Sequence, residues 1–250
     1  MGERVAIHEK VILPSQGLPY GGKIPSEFNL RAMSTLEEKI RLSSSNGMQV
    51  ISQIIDRCKD DDSFKAEDLI LSDLLAVMYR LRCITYGSDY TVNVVCPKCG
   101  NRHETTVNLD ELETKPISDS FKGFLEVGPL PVSGDIIECK LLTSKDSLNI
   151  ARDVKKILSK TPNYIGDPEM ILRWNYIVST INGEVIPSTF MIQEYIEKLH
   201  AKDFLYLQNR YNEFEESIGL DTTVVDICPH CENDIKFNLP ITEEFFRPRC

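Results

Sequence analysis

The same turn is written twice in this chain, in places far apart. Val92-Asn93-Val94-Val95-Cys96-Pro97-Lys98-Cys99-Gly100 is echoed by Val224-Val225-Asp226-Ile227-Cys228-Pro229-His230-Cys231-Glu232. Each copy is a β-branched run entering a Cys-Pro-x-Cys turn. A second strand-like run follows each, Glu104-Thr105-Thr106-Val107-Asn108-Leu109 and Ile235-Lys236-Phe237-Asn238-Leu239. β-Branched residues suit a pleated, half-buried surface, so the pattern predicts a strand, knuckle, strand unit made twice. Two thiolates two residues apart can hold one tetrahedral ion at about 2.3 Å per Zn–S bond, and two such pairs complete a closed four-sulfur site. The candidate ligands are Cys96, Cys99, Cys228 and Cys231, and the expected ion is structural zinc. The competing chemistry, a redox dithiol, needs its first cysteine at a helix N-terminus, where the dipole lowers its pKa. Both copies run on into strand-like sequence instead. Cys99 and Cys228 are 129 positions apart, so the two hairpins must meet in space while the residues between them loop out.

The remaining cysteines, charge and missing motifs narrow the function. Eight cysteines without a secretory signal point to reduced thiols rather than a disulfide framework. Cys58, Cys83 and Cys139 lie in apolar contexts and read as small buried hydrophobes, whereas Cys250 is terminal. A net charge of −10 and a pI near 5.0 would repel a phosphate backbone. Near the knuckles Lys98, Arg102 and Lys236 are offset by Glu104, Asp226, Glu232 and Asp234, so no specific nucleic-acid binding is expected. No apolar run approaches the roughly 18 to 20 residues of a membrane span, and the first residues lack a signal peptide's pattern. Phosphate loops, dinucleotide fingerprints, nucleophile elbows and His-Glu-x-x-His are all missing. His103 and His230 flank the knuckles, but four sulfurs already fill the tetrahedron. A closed site keeps no position for water or substrate, and the expectation is that the chain is not an enzyme.

Periodicity divides the chain into an extended N-terminal arm (1–33), a helical segment (34–90), two zinc-ribbon halves (91–115 and 222–241), a mainly helical insertion with a β-hairpin (116–221) and a C-terminal tail (242–250). The fold class is α+β. The Pro- and Gly-punctuated arm is either a strand added to the core or a partner-binding segment. Ser34 with Glu37 signals a capping box, Met48, Ile51, Ile55 and Cys58 mark a second helix, and Ser72 can cap a third that carries Leu75, Met78, Leu81 and Arg82 to Gly87. In the insertion, Phe124–Val127 and Ile136–Leu142 read as strands. Ser144 or Asp146 can cap a helix with Leu148, Ala151, Val154 and Leu158 inward, and Pro168 opens another through Ile181 that Asn182-Gly183 ends. Further helices run from Ser188 to Leu199 and from Lys202 to Ser217, the last striped by Phe204, Leu207, Tyr211, Phe214 and Ile218. Phe245-Phe246, beside the terminus, is either an interface anchor or a pair of rings folded back to cover the ribbon.

Leu13-Pro14-Ser15-Gln16-Gly17, Met33-Ser34-Thr35-Leu36-Glu37-Glu38-Lys39 and Leu81-Arg82-Cys83-Ile84-Thr85-Tyr86-Gly87 precede Cys96-Pro97-Lys98-Cys99-Gly100. Gly219-Leu220-Asp221 precedes the second knuckle, and Leu239-Pro240-Ile241-Thr242-Glu243-Glu244-Phe245-Phe246-Arg247-Pro248 follows it. In this order the motifs resemble the baseplate hub family of T4-like contractile-tailed bacteriophages. One departure is Glu232, where a glycine commonly follows the second cysteine of a knuckle; a left-handed residue there costs about 1 kcal/mol. The resemblance implies a hub subunit or hub assembly factor whose partners are other phage tail and baseplate hub proteins. It places the chain in the host cytoplasm during assembly, and in the virion tail baseplate if the chain is a hub subunit rather than an assembly factor. The rival from another class is a zinc-ribbon transcription or nucleic-acid-associated regulator, which would need a basic stripe near the ribbon.

Overall fold

The computed structural model describes residues 8–43, 47–161, 163–241 and 243–246. Strands β1 (His8–Ile12) and β2 (Glu27–Arg31) pair antiparallel, with Val11 opposite Phe28. Val11, Leu13, Ile24, Phe28 and Leu30 are buried, so the described part of the predicted arm is a hairpin built into the core. Helix α1 (Thr35–Ser43) follows it. The Ser34 amide and hydroxyl donate to Glu37 at 2.9 and 2.6 Å, and Ser34 Oγ accepts from the Leu36 amide, which makes the predicted cap real. Then come α2 (Gly47–Cys58) and α3 (Leu71–Tyr86). Ser72 does not cap α3. The preceding residue, Ile70, makes no side-chain cap, and in the first turn Asp73 instead accepts from the Ser15 amide (2.9 Å), the Ser15 hydroxyl (2.5 Å) and the Tyr20 hydroxyl (2.6 Å). This buried node pins the N-terminal hairpin to α3.

Apolar on more than one side, α3 is covered on more than one side. Its Leu74, Val77, Leu81 and Ile84 join Leu13, Phe28, Leu30, Ile54 and Ile55 in a first core. Met78 and Tyr79 join Tyr90, Val92, Val94, Ile235, Leu239, Phe245 and Phe246 in a second, beneath the knuckles. Of the two readings of Phe245-Phe246, an interface anchor or a cover folded back over the hairpins, the structure takes the second. Phe245 is wholly buried, its ring 4.8 Å from Tyr79 and 5.2 Å from Tyr90, and Phe246 stacks edge-on against it. Two large rings beside a hydrophobic floor gain more by covering it than by facing water. Cys58 and Cys139 are buried as expected, Cys83 is half-buried, and Cys250 lies outside the described residues.

Strands β3 (Asp89–Val95) and β4 (Arg102–Asn108) form the first knuckle hairpin, and β5 (Thr114–Lys115) follows. The insertion then holds β6 (Leu125–Val127), β7 (Ile137–Cys139), α4 (Ser144–Lys160), α5 (Pro168–Leu172), α6 (Trp174–Ile177), β8 (Val178–Ile181), β9 (Glu184–Val185), α7 (Thr189–Lys198) and α8 (Ala201–Glu216). Its antiparallel sheet runs β6-β7-β8-β9, and a third core forms around Ile137, Trp174, Ile177, Leu207 and Tyr211. The helix expected through Ile181 is corrected. It stops at Ile177, and the β-branched Val178, Thr180 and Ile181 become a strand paired with β7 and β9. Asn182-Gly183 (φ 54° and 79°) is then a two-residue hairpin turn rather than a helix end. Helix α4 is capped one residue earlier than expected, by Thr143 with Asp146, and turns Ile150 and Val154 inward while Ala151 and Leu158 are exposed. Ser188 caps α7 as read, and α8 carries Leu207 and Tyr211 into the core.

After α8, β10 (Gly219–Leu220) pairs with β5, joining the two ends of the insertion. Strands β11 (Thr223–Ile227) and β12 (Asp234–Asn238) complete the second hairpin. A small cluster of Ile70, Ile117, Leu141 and Ile218 fastens the insertion beside the start of α3. No helix among the described residues is long and apolar enough to cross a membrane.

Candidate metal centre

The two knuckles fold by the same hydrogen bonds. In the first, the Cys96 amide donates to Asn101 O and the Gly100 amide to Cys96 O, both at 2.9 Å. In the second, the Cys228 amide donates to Asn233 O at 3.0 Å and the Glu232 amide to Cys228 O at 2.9 Å. The strand registers agree, with Val95 opposite Arg102 and Ile227 opposite Asp234. Even the left-handed residue after the second cysteine is shared: Gly100 has φ 72° and Glu232 has φ 55°.

Alternating side chains put Tyr90, Val92 and Val94 beneath β3, and this floor with α3 holds the hairpins so that four sulfurs converge. Cys96 Sγ lies 3.7 Å from Cys231 Sγ and Cys99 Sγ lies 3.7 Å from Cys228 Sγ. All four lie within 4.8 Å of one another. A regular tetrahedron with 2.3 Å metal–sulfur bonds has edges of about 3.8 Å, so the set fits one ion. The same separations are far beyond a disulfide bond of about 2.05 Å. Each sulfur pair joins one knuckle to the other, so an ion here ties together hairpins on either side of the insertion.

The electrostatics favour thiolate at two ligands. Burial works against a charged Cys96, but the amides of Cys99 and Lys98 outweigh it and draw that thiol down to about 7. Cys228 is lowered in the same way, burial being overcome by the amides of His230 and Cys231. Cys231 is pushed up to about 12 by burial and by its hydrogen bonds with Cys99, Cys96 and Cys228. A bound cation inverts that preference, because a coordinating thiol is deprotonated outright.

Neither flanking histidine joins the sulfur cluster. His103 Nε2 instead meets Asp226 Oδ2 at 2.6 Å, a polar contact from β4 to β11 that bridges the hairpins outside the sulfurs. Arg82 is the residue whose role the sequence reading missed. It stands in the helical stripe as expected but is 1% exposed, and it donates to the carbonyls of Phe245 (3.2 Å), Asp89 (2.6 Å) and Gly87. One guanidinium thus fastens the end of α3, the entry to β3 and the C-terminal turn together. The signal available was an arginine in an otherwise apolar Leu81-Arg82-Cys83-Ile84 run.

The chain matches the family model described as T4 bacteriophage base plate protein over residues 10–247. The match takes in most of the N-terminal hairpin, all four knuckle cysteines and Phe245-Phe246. Comparison with the curated proteins and with the solved structures found no match. Covering nearly the whole chain, the family match shows that this protein belongs to the T4 bacteriophage base plate protein family.

Proposed function

We propose that the chain is a non-enzymatic component of the baseplate hub, either a hub subunit or a hub assembly factor, that works by binding other tail proteins. In this reading Cys96, Cys99, Cys228 and Cys231 hold one structural zinc. The observation that carries the role is the family match across residues 10–247. The convergence of four sulfurs supports the metal. Bound there, zinc supplies a four-coordinate cross-link with no open position for a substrate. The chain's own residues do the rest. The β5–β10 pairing returns the second hairpin to the first, Tyr79, Tyr90 and Phe245 form the floor, and the His103–Asp226 contact sets the two hairpins against each other. The product is a rigid body that presents fixed surfaces to neighbours.

Mass spectrometry of purified tails and of hub precursors tests the role. A fixed stoichiometry in finished tails assigns a subunit, presence in precursors alone assigns an assembly factor, and absence from both overturns the proposal. Elemental analysis should find one zinc per chain with the four thiols protected. Less than half an equivalent, with all four titrating freely, would refute the site. Gel shifts should show no binding to duplex DNA tighter than about 1 μM at physiological salt, the upper end of non-specific affinity.

A further inference from the structure

Although the chain is acidic overall, the outer face of α4 is basic. Lys145, Arg152, Lys155, Lys156 and Lys160 are exposed and fall on one side of the helix, forming a stripe about 22 Å long at 1.5 Å per residue. Lys145 is bridged by Glu67 and Asp68 at 3.7 Å each, and Arg152 donates to Asn149. The helix's own acids are engaged elsewhere: Asp146 caps the N-terminus, and Asp153 accepts from the Tyr176 hydroxyl at 3.0 Å. Among the described residues no carboxylate pairs with Lys155, Lys156 or Lys160.

Apolar side chains stand unburied at the same end of the helix. Leu158 is 44% exposed and Ile165, in the turn beyond, 96% exposed. Met170 on α5, which packs against α4, is 45% exposed. Lysines at a helix C-terminus suit its dipole, but that accounts for neither the length of the stripe nor a bare isoleucine beside it. A phosphate backbone would satisfy the lysines and leave Leu158, Ile165 and Met170 in water, and the net charge of −10 would oppose it. An acidic protein face with an apolar recess satisfies both sets. Charge would steer the encounter and the apolar anchor would hold it.

We propose that this basic and apolar tip of the insertion docks on an acidic face of another tail protein, with Ile165 seated in an apolar recess. The inference rests on the baseplate role. Its test is site-specific photo-cross-linking in infected cells whose only copy of the chain carries benzoylphenylalanine at position 165 or, as a reference on another exposed apolar site of the insertion, at position 190. The expected result is an adduct from position 165 to another tail protein, mapped to an acidic peptide. Its yield should fall about tenfold or more in Lys155→Glu/Lys156→Glu/Lys160→Glu, whose zinc content stays that of the parent. An adduct indifferent to the charge reversal, or one to DNA or to a second copy of the chain, overturns the proposal. A tail protein captured from position 190 but not 165 discards this surface while the baseplate role stands. No tail protein from either position discards both.

Discussion

The ribbon and the insertion reach stability by different means. The insertion encloses its own core, with Trp174, Ile177, Leu207 and Tyr211 at most 1% exposed around a four-stranded sheet. The ribbon is two separate two-stranded hairpins, a size marginal in water even when one face is apolar. Its two hairpins are brought together by α3, by Phe245-Phe246 and by the His103–Asp226 contact, with the four sulfurs converging between them. A region that buries enough apolar surface needs no cross-link; one that cannot gains most from a metal of the kind proposed for the four cysteines, as small domains do.

The largest test of this contrast is loss of a ligand. Metal binding at such sites is folding free energy, on the order of 10 kcal/mol in finger peptides, and most of it goes with one sulfur. Cys228→Ser or chelation should therefore abolish hydrogen-exchange protection in β3, β4, β11 and β12 while α7, α8 and the β6–β9 sheet keep theirs. The single tryptophan, Trp174, lies in the insertion core and should keep its emission through chelation. Equal protection in both regions would break the comparison.

The converse change should spare the ribbon. Trp174→Ala empties a fully buried site and should cost about 3–5 kcal/mol, lowering the insertion's unfolding midpoint with one zinc still bound. Metal loss in this variant would show that the two regions unfold as one. Next is Phe245→Ala, which removes a wholly buried ring at the junction of α3 and the ribbon. A cost of about 3 kcal/mol is expected, read as faster zinc release to a chelator with the insertion's exchange unchanged. Release at the parent rate would mean the ring does not support the ribbon. The smallest effect compares the knuckles directly. Glu232→Gly relieves a left-handed non-glycine residue and should stabilise the metal-bound ribbon by about 1 kcal/mol, whereas Gly100→Ala should cost a similar amount. Denaturant midpoints moving the other way would show that the second knuckle does not carry this strain.

The two knuckle hairpins and their cysteine cluster were legible because their information is local and repeated. Cys-Pro-x-Cys, flanking β-branched residues and the position of Glu232 each carry their own geometry, and the structure places Glu232 at the positive φ that the pattern demands. Caps written in adjacent residues were legible too, as with Ser34 and Glu37 or Ser188 before α7. What escaped was set by distant neighbours. Val178 continues an apolar helical pattern until β7 supplies a partner strand, and only then does its β-branching decide. Phe245 and Phe246 fit an interface anchor and a folded-back cover alike until α3 and Tyr90 are beneath them. The basic face of α4 was hidden because a net charge of −10 sums over the chain and discards position.

The 129 positions between Cys99 and Cys228 also set a timetable. Cys96 and Cys99 leave the ribosome as a two-thiolate half-site, and the insertion must be synthesised before Cys228 appears. At about 5–20 residues per second, the half-site waits roughly 6–26 s for its other pair. The insertion, with a core of its own, can fold within that interval. Its β5–β10 closure would then bring the late thiols to the early ones, so that the four-sulfur cluster can be completed only after the insertion has been made.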